Sequence, residues 1–230
     1  MIKRWLQAAA DVVLPRVCSA CQHELGADEQ WLCRRCLAQL PLTHLDEQPF
    51  NVMEQLFAGK TPVERATAYF YYDKASPYAG ILHDIKYRDM PRLGRWLAER
   101  AMRQMPAFAA GVDAVVPVPL HSDKLISRGY NQSLYIAQGI ARATGAKVVQ
   151  ALKAVRPHST QTHLTAHERW FNIQHVYALA PGMERRLAGK HLLLVDDVVT
   201  TGSTLEVCAR WLNTIPAVTV SLFTLAMARQ

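Results

Sequence analysis

Apolar positions recur along the chain in two rhythms. Ala66–Tyr72 is a run of β-formers that predicts a strand. In 79–88 Ile81, Leu82 and Ile85 share one face, and from Pro91 to about Met105 Leu93, Trp96, Leu97 and Ala101 form a helical stripe. Asp113–Leu120 begins as a buried strand and must end near Val116–Val118, because a central strand does not tolerate its prolines. The loop His121–Tyr130 follows, and Asn131 then caps a helix to about Thr144 carrying Leu134, Ile136, Ala137 and Ile140. Lys147–Leu152 reads as one strand, and Pro181-Gly182 marks a turn. Leu192–Val195 is apolar without a period, the mark of a strand buried on both faces. Ser203 and Glu206 have capping-box spacing before a helix with Leu205, Cys208, Trp211, Leu212 and Ile215 inside. Ala217–Ala226 is a last strand, with Cys208 a small buried hydrophobe on the preceding helix.

Between these elements lie segments without a clear period. Met1–Pro15 reads as a short amphipathic helix, since Gln7 and Asp11 interrupt its apolar run and no cleavage site follows. Leu40–Pro62, with Pro41, Pro49, Gly59 and Pro62, reads as an irregular connection and a domain boundary, dividing the chain into 1–48 and 49–230. The polar stretch from Lys153 to Arg169 is long for a compact domain, and such stretches are usually functional or mobile. Thr165 and Glu168 there have capping-box spacing. Its histidines, His158, His163 and His167, match no metalloprotease helix and read as surface residues.

Composition narrows the class. Of 230 residues, half are hydrophobic and a fifth charged, enough for a core and against disorder. The formal charge of +7 favours anionic partners, polyphosphate, nucleic acid or an acidic membrane surface, without choosing among them. No apolar stretch approaches the length of a transmembrane helix, and the chain reads as cytoplasmic.

Four of the five cysteines form a pair of C-x-x-C knuckles, Cys18/Cys21 and Cys33/Cys36, eleven residues apart. Four thiolates so spaced suit tetrahedral Zn²⁺. An iron–sulfur site or two redox pairs are the rivals. So short a segment would be folded by its metal. Arg34 and Arg35, inside the second knuckle, either touch an anion or are simply exposed. Lys86 and Arg88, at the end of their helix, either compensate its dipole or meet an anionic ligand.

The densest chemistry follows Val195. Asp196 and Asp197 end the apolar strand, and Thr200, Thr201, Gly202, Ser203 and Thr204 lead into the next helix. Ligands of open α/β sheets sit beyond the carboxyl ends of the strands. A loop of small residues at a helix N-terminus offers N–H groups to a phosphate. Two carboxylates just upstream can accept from vicinal hydroxyls or help hold hydrated Mg²⁺. A ribose 5-phosphate satisfies both ends. Three rivals fit less well. A receiver domain begins with such a strand, but only 33 residues follow Asp197. A Walker B strand needs a Walker A partner, and Gly59-Lys60-Thr61 fails its spacing because Glu54 stands where glycine is required. A capped helix without a ligand leaves the two acids and two threonines unexplained.

This stretch resembles the 5-phosphoribosyl-1-pyrophosphate (PRPP) motif of type I phosphoribosyltransferases. The resemblance implies that Asp196 and Asp197 hold the ribose hydroxyls, that Thr200–Thr204 wrap the 5-phosphate, and that Lys124 and Arg128 receive the pyrophosphate with Mg²⁺. It also implies that the long polar loop closes over the ligand. With the cysteine knuckles, Ile85-Lys86-Tyr87, Val116-Pro-Val-Pro-Leu120, Arg128-Gly-Tyr-Asn-Gln132, Thr160-Gln161, Leu164, Arg169 and Asn172, nearly the whole chain resembles the ComF family. Many relatives carry a longer cysteine region.

That resemblance implies an α/β fold: a type I phosphoribosyltransferase-like parallel sheet with helices on both faces, preceded by a small zinc ribbon. It implies a link to natural competence and the use of single-stranded DNA, with competence-machinery proteins as partners. Phosphoribosyl transfer to an unnamed acceptor and non-catalytic binding of a nucleotide or nucleic acid by the same pocket both remain open, and no catalytic residue is assigned.

Overall fold

A computed structural model describes residues 15–155 and 176–229. The expected N-terminal helix, the histidines of the polar loop, its capping box and Thr160, Gln161, Leu164, Arg169 and Asn172 lie outside the described residues. Among the described residues there are seven strands: β1 (Ala66–Tyr72), β2 (Ala114–Pro117), β3 (Lys147–Val148), β4 (Leu152–Ala154), β5 (Tyr177–Leu179), β6 (His191–Val199) and β7 (Thr219–Ala228). Five form one sheet in the order β1-β7-β6-β2-β3, with every neighbouring pair parallel. Strands β4 and β5 pair antiparallel as a separate ribbon. The helices are α1 (Arg34–Ala38), α2 (Val52–Gln55), α3 (Ala79–Tyr87), α4 (Pro91–Gln104), α5 (Pro106–Ala109), α6 (Ser122–Arg128), α7 (Gln132–Thr144), α8 (Met183–Leu187) and α9 (Ser203–Leu212).

The unbroken apolar run in β6 follows from its central place. Leu192 and Leu194 pack into one core with Leu205, Cys208 and Leu212 of α9. Leu193 and Val195 pack into another with Leu97 of α4 and Ile136 and Ile140 of α7. Each face of the strand is covered by helices, so no polar alternation is possible. No helix among the described residues is long and apolar enough to cross a membrane.

Several expected boundaries shift for local reasons. The 147–152 strand divides, because Ala151 N–H donates to the Val149 carbonyl at 2.9 Å and turns the chain toward β5. The expected loop 121–130 is largely α6: the His121 ring accepts from Asp123 N–H at 3.3 Å at its start, and Gly129, at φ 80°, ends it. Leu40–Pro62 is more ordered than its prolines suggest. Asn51 caps α2 in a capping box with Glu54, its amide reaches the Ala66 carbonyl at 2.9 Å, and Met53 and Phe57 are fully buried. Leu42 bridges Phe70 antiparallel, so this segment covers the outer edge of β1.

Helix α9 starts on Gly202, not in the expected box. Ser203 is already helical and its hydroxyl meets that of Thr201 at 3.0 Å, while Glu206 turns to Arg210 at 2.8 Å. Trp211, expected inside, is among the exposed large side chains, and Trp96 is only partly buried against the core.

Helices α4 and α7 cross at Gly139, where an added Cβ would lie 2.1 Å from the Arg95 carbonyl oxygen. A backbone atom cannot yield as a side-chain tip does. Gly139→Ala should therefore force the helices apart and lower stability by about 1–3 kcal/mol, read from the urea midpoint of unfolding. An unchanged midpoint would show that the crossing relaxes freely.

Candidate functional site

Connections leave β2 and β6 in opposite directions, toward β3 on one side and β7 on the other. Their carboxyl ends therefore flank a topological switch point, where open α/β sheets bind ligands. A cleft of about 310 Å³ lies there, lined among others by Lys86, Lys124, Arg128, Ser133, Asp196, Asp197 and Thr204.

The two acids are the last polar residues before β6 ends. Asp197 is buried, with Lys86 Nζ 3.0 Å from its Oδ1. Its Oδ2 is also buried and has no hydrogen-bond partner among the described residues. Such an acceptor suits a sugar hydroxyl or a metal-bound water. Asp196 Oδ1 accepts from Ser133 Oγ at 2.8 Å and from the Asp197 N–H at 2.9 Å. Burial first, and the Asp197 charge second, push the Asp196 carboxyl up to about 7 despite these donors and Lys86. Tyr177, on the same wall, has its phenol raised by burial, then by Cys208 and Asp196.

The basic wall comes from α6. Lys124 is exposed at the cleft rim. Arg128 is held from two sides: it donates to the Gln132 side-chain oxygen, and its guanidinium carbon lies 5.2 Å from the Tyr87 ring centroid. The residues expected to wrap a phosphate separate. Thr204 lines the cleft, Thr200 and Thr201 are exposed, Ser203 opens α9, and Gly202 is buried. Gly202 sits at φ 80°, and a Cβ there would meet Phe57 Cε1 and Cζ at 3.1 Å, so both backbone and space call for glycine.

The cysteines form a second centre. The thiol sulfurs of Cys18, Cys21, Cys33 and Cys36 lie within 4.8 Å of one another, and Cys21 and Cys33 are 3.8 Å apart. A zinc tetrahedron with arms of about 2.3 Å has edges of about 3.8 Å, so the set fits. The Cys33 N–H donates to Cys18 Sγ at 3.3 Å, the kind of contact that steadies a thiolate.

Comparison with known proteins bears on this geometry. Residues 131–230 match the family model described as phosphoribosyl transferase domain. The DNA utilization protein YhgH of Salmonella typhimurium is 30% identical over 215 residues, covering 91% of this chain and 89% of that protein. The chain belongs to the ComF/YhgH family. Competence protein F of Haemophilus influenzae is 32% identical over 117 residues, half of this chain and 51% of its own. Among solved structures, adenine phosphoribosyltransferase from Leishmania tarentolae is 10% identical, with a TM-score of 0.38 over 77% of this chain and 88% of its own. The chain's own five-stranded parallel sheet is the expected α/β fold, and the four-cysteine cluster is consistent with the zinc ribbon.

Within this ComF/YhgH chain, the cleft gathers Asp196, Asp197, Thr204, Lys124 and Arg128. Lys86, for which dipole compensation and anion contact were both open, reaches across to Asp197. Tyr87 was singled out only as part of Ile85-Lys86-Tyr87, and Ser133, Tyr177 and Phe57 were not. Ser133 alone left a trace, two residues past the Asn131 cap, where a helix N-terminus meets the switch point. The others belong to the site only through tertiary packing.

The raised Asp196 carboxyl has a consequence for stability. The folded state holds its proton more tightly than the unfolded state, so this contribution is whole below about pH 4 and is lost as pH rises to about 7. Asp196→Asn should flatten that decline, making the variant relatively more stable above pH 7 by up to about 4 kcal/mol. Urea unfolding of both proteins across pH 4–8 measures it, and parallel profiles would contradict the assignment.

Proposed function

We propose that this chain binds PRPP with Mg²⁺ in the cleft between the ends of β2 and β6, and that it serves the use of single-stranded DNA in the cytoplasm. The carrying observation is the convergence of the two acids, Thr204 at the end of the Thr200–Thr204 loop, and the α6 cations on one switch point. Asp196 and Asp197 would orient the ribose hydroxyls, with the unpartnered Asp197 oxygen as an acceptor. Thr200, Thr201, Gly202, Ser203 and Thr204 would hold the 5-phosphate, and Lys124 and Arg128 the pyrophosphate. Mg²⁺ would neutralise charge on the diphosphate. If a phosphoribosyl group is transferred, positioning and electrostatics carry the step, with no covalent role for a side chain.

The family relation to proteins named for DNA utilization and competence supports the DNA partner, and a link to competence-machinery proteins is part of the same proposal. The charge of +7 favours a second reading, in which the pocket grips a nucleotide or nucleic acid without chemistry. Release of pyrophosphate in the presence of an acceptor separates the two.

Zinc in the cysteine cluster would be structural, folding the 1–48 part of the chain ahead of the 49–230 domain. The purified protein should carry one zinc per chain by elemental analysis. Cys33→Ser should lose it and lower the thermal midpoint, whereas a metal-free wild type would return the cluster to redox chemistry.

Isothermal titration with PRPP and Mg²⁺ tests the main proposal. Wild type should bind, and Asp196→Asn combined with Asp197→Asn should weaken binding at least about tenfold, the loss of roughly two hydrogen bonds to charged acceptors. Equal affinity in both proteins would refute the ribose assignment.

A further inference from the structure

Beside the first cleft lies a second, of about 460 Å³, lined by Lys86, Tyr87, Asp89, Asp123, Lys124, Ser127, Arg128 and Tyr130. The two share Lys86, Tyr87, Lys124 and Arg128. Tyr87 stands between them as the last residue of α3, and it is 68% exposed. Its ring is not idle surface. The His83 ring is 5.4 Å away at 49°, and the Arg128 guanidinium carbon lies 5.2 Å from its centroid. An aromatic face steadied by a guanidinium, yet largely left to water, has the makings of a stacking platform for a planar base.

The charges around it select the same class of ligand. Lys86 is committed to Asp197 at 3.0 Å, and Asp123 lies 3.4 Å from the His121 ring. Arg128 donates to an amide oxygen, not a carboxylate, and Lys124 is exposed. Lys124 and Arg128 therefore flank an exposed aromatic ring, in a cleft that also holds the carboxylates of Asp89 and Asp123 and whose two cations also line the first cleft. An acidic peptide would use the cations but has no need of the ring. A single strand of nucleic acid uses both, since each base offers a π-face and each linkage a phosphate.

We propose that Tyr87 is a stacking platform for a base of single-stranded DNA, with Lys124 and Arg128 taking the adjoining phosphates. The proposal rests on the DNA reading above and gives it a surface. It places the strand against the mouth of the sugar-phosphate cleft, so that strand and PRPP would meet at Lys124 and Arg128.

The test is fluorescence anisotropy of a labelled oligothymidylate and of an equally long abasic strand, both at low salt and without PRPP. Wild type should bind the oligothymidylate more tightly than the abasic strand. Tyr87→Ala should weaken oligothymidylate binding about ten- to a hundredfold, the range for one lost stack, and leave the abasic strand little affected. Tyr87→Trp, which keeps a stacking face, should restore the affinity. Three results would each overturn the proposal: equal binding of both strands, no loss in Tyr87→Ala, or no binding by wild type at low salt. Because PRPP is absent throughout, failure here is distinct from failure of the PRPP titration.

Discussion

Two carboxylates side by side at the end of one strand cannot both be ionised in a poorly solvated cleft unless other groups bear on them. The architecture around β6 answers that constraint. Lys86 comes from the end of α3 to Asp197, and Ser133 comes from the first turn of α7 to Asp196. Both helices lie on the same face of the sheet, in the core that holds Ile85, Ile136 and Val195. The acids thus tie together strand β6 and helices α3 and α7. A buried ion pair of this kind adds little net stability, yet removing one partner typically costs about 3–5 kcal/mol. The pair therefore fixes geometry more than it stabilises the fold.

The same helix carries the constraint back to the cysteines. An added Cβ at Gly80 would lie 2.2 Å from the Ser19 carbonyl oxygen, and Tyr78 Oη donates to the Cys36 carbonyl at 3.2 Å. The cysteine knuckle is therefore seated on the first turn of α3, while Lys86 leaves its last turn. Nine helical residues span about 13 Å, a short rigid rod from one centre to the other. Cys18, Cys33 and Cys36 are buried in the same core as Ile81 and Ile85 of that rod. The knuckle is thus an abutment for the helix that positions Lys86.

Much of this was legible in the sequence because it depends on local rules. The strand–acid–hydroxyl–helix order of 191–212, the paired C-x-x-C spacing and the Asn131 cap are each written within about twenty residues. What escaped depends on contacts distant in the chain. Lys86 and Asp197 are far apart in sequence, and a lysine at a helix end satisfies the dipole equally well. Leu40–Pro62 misled for a related reason. Its prolines and glycine signal irregular backbone, but burial of Met53 and Phe57 is decided by the edge of β1, which that segment covers. At α9 the box of Ser203 and Glu206 had the right spacing, but Gly202 takes the cap and Arg210 claims Glu206. Spacing shows what a side chain can reach, and competition among partners decides what it does reach.

Phe57 shows how far this matters for the site. Its ring, 1% exposed, fills the space where a side chain on residue 202 would stand, and Leu56 Cβ lies at 3.7 Å from the same point. The left-handed turn at Gly202 that starts α9 is thus formed against Leu56 and Phe57, just past the end of α2, on the face opposite to α3 and α7. The two ends of a bound sugar phosphate would be positioned by different halves of the molecule. The acid end of the cleft depends on β6 with α3 and α7, and the 200–204 loop on the packing of Phe57. A disturbance of the cysteine knuckle should therefore reach the acids through α3 before it reaches the 200–204 loop. A disturbance of Leu40–Pro62 should act in the reverse order.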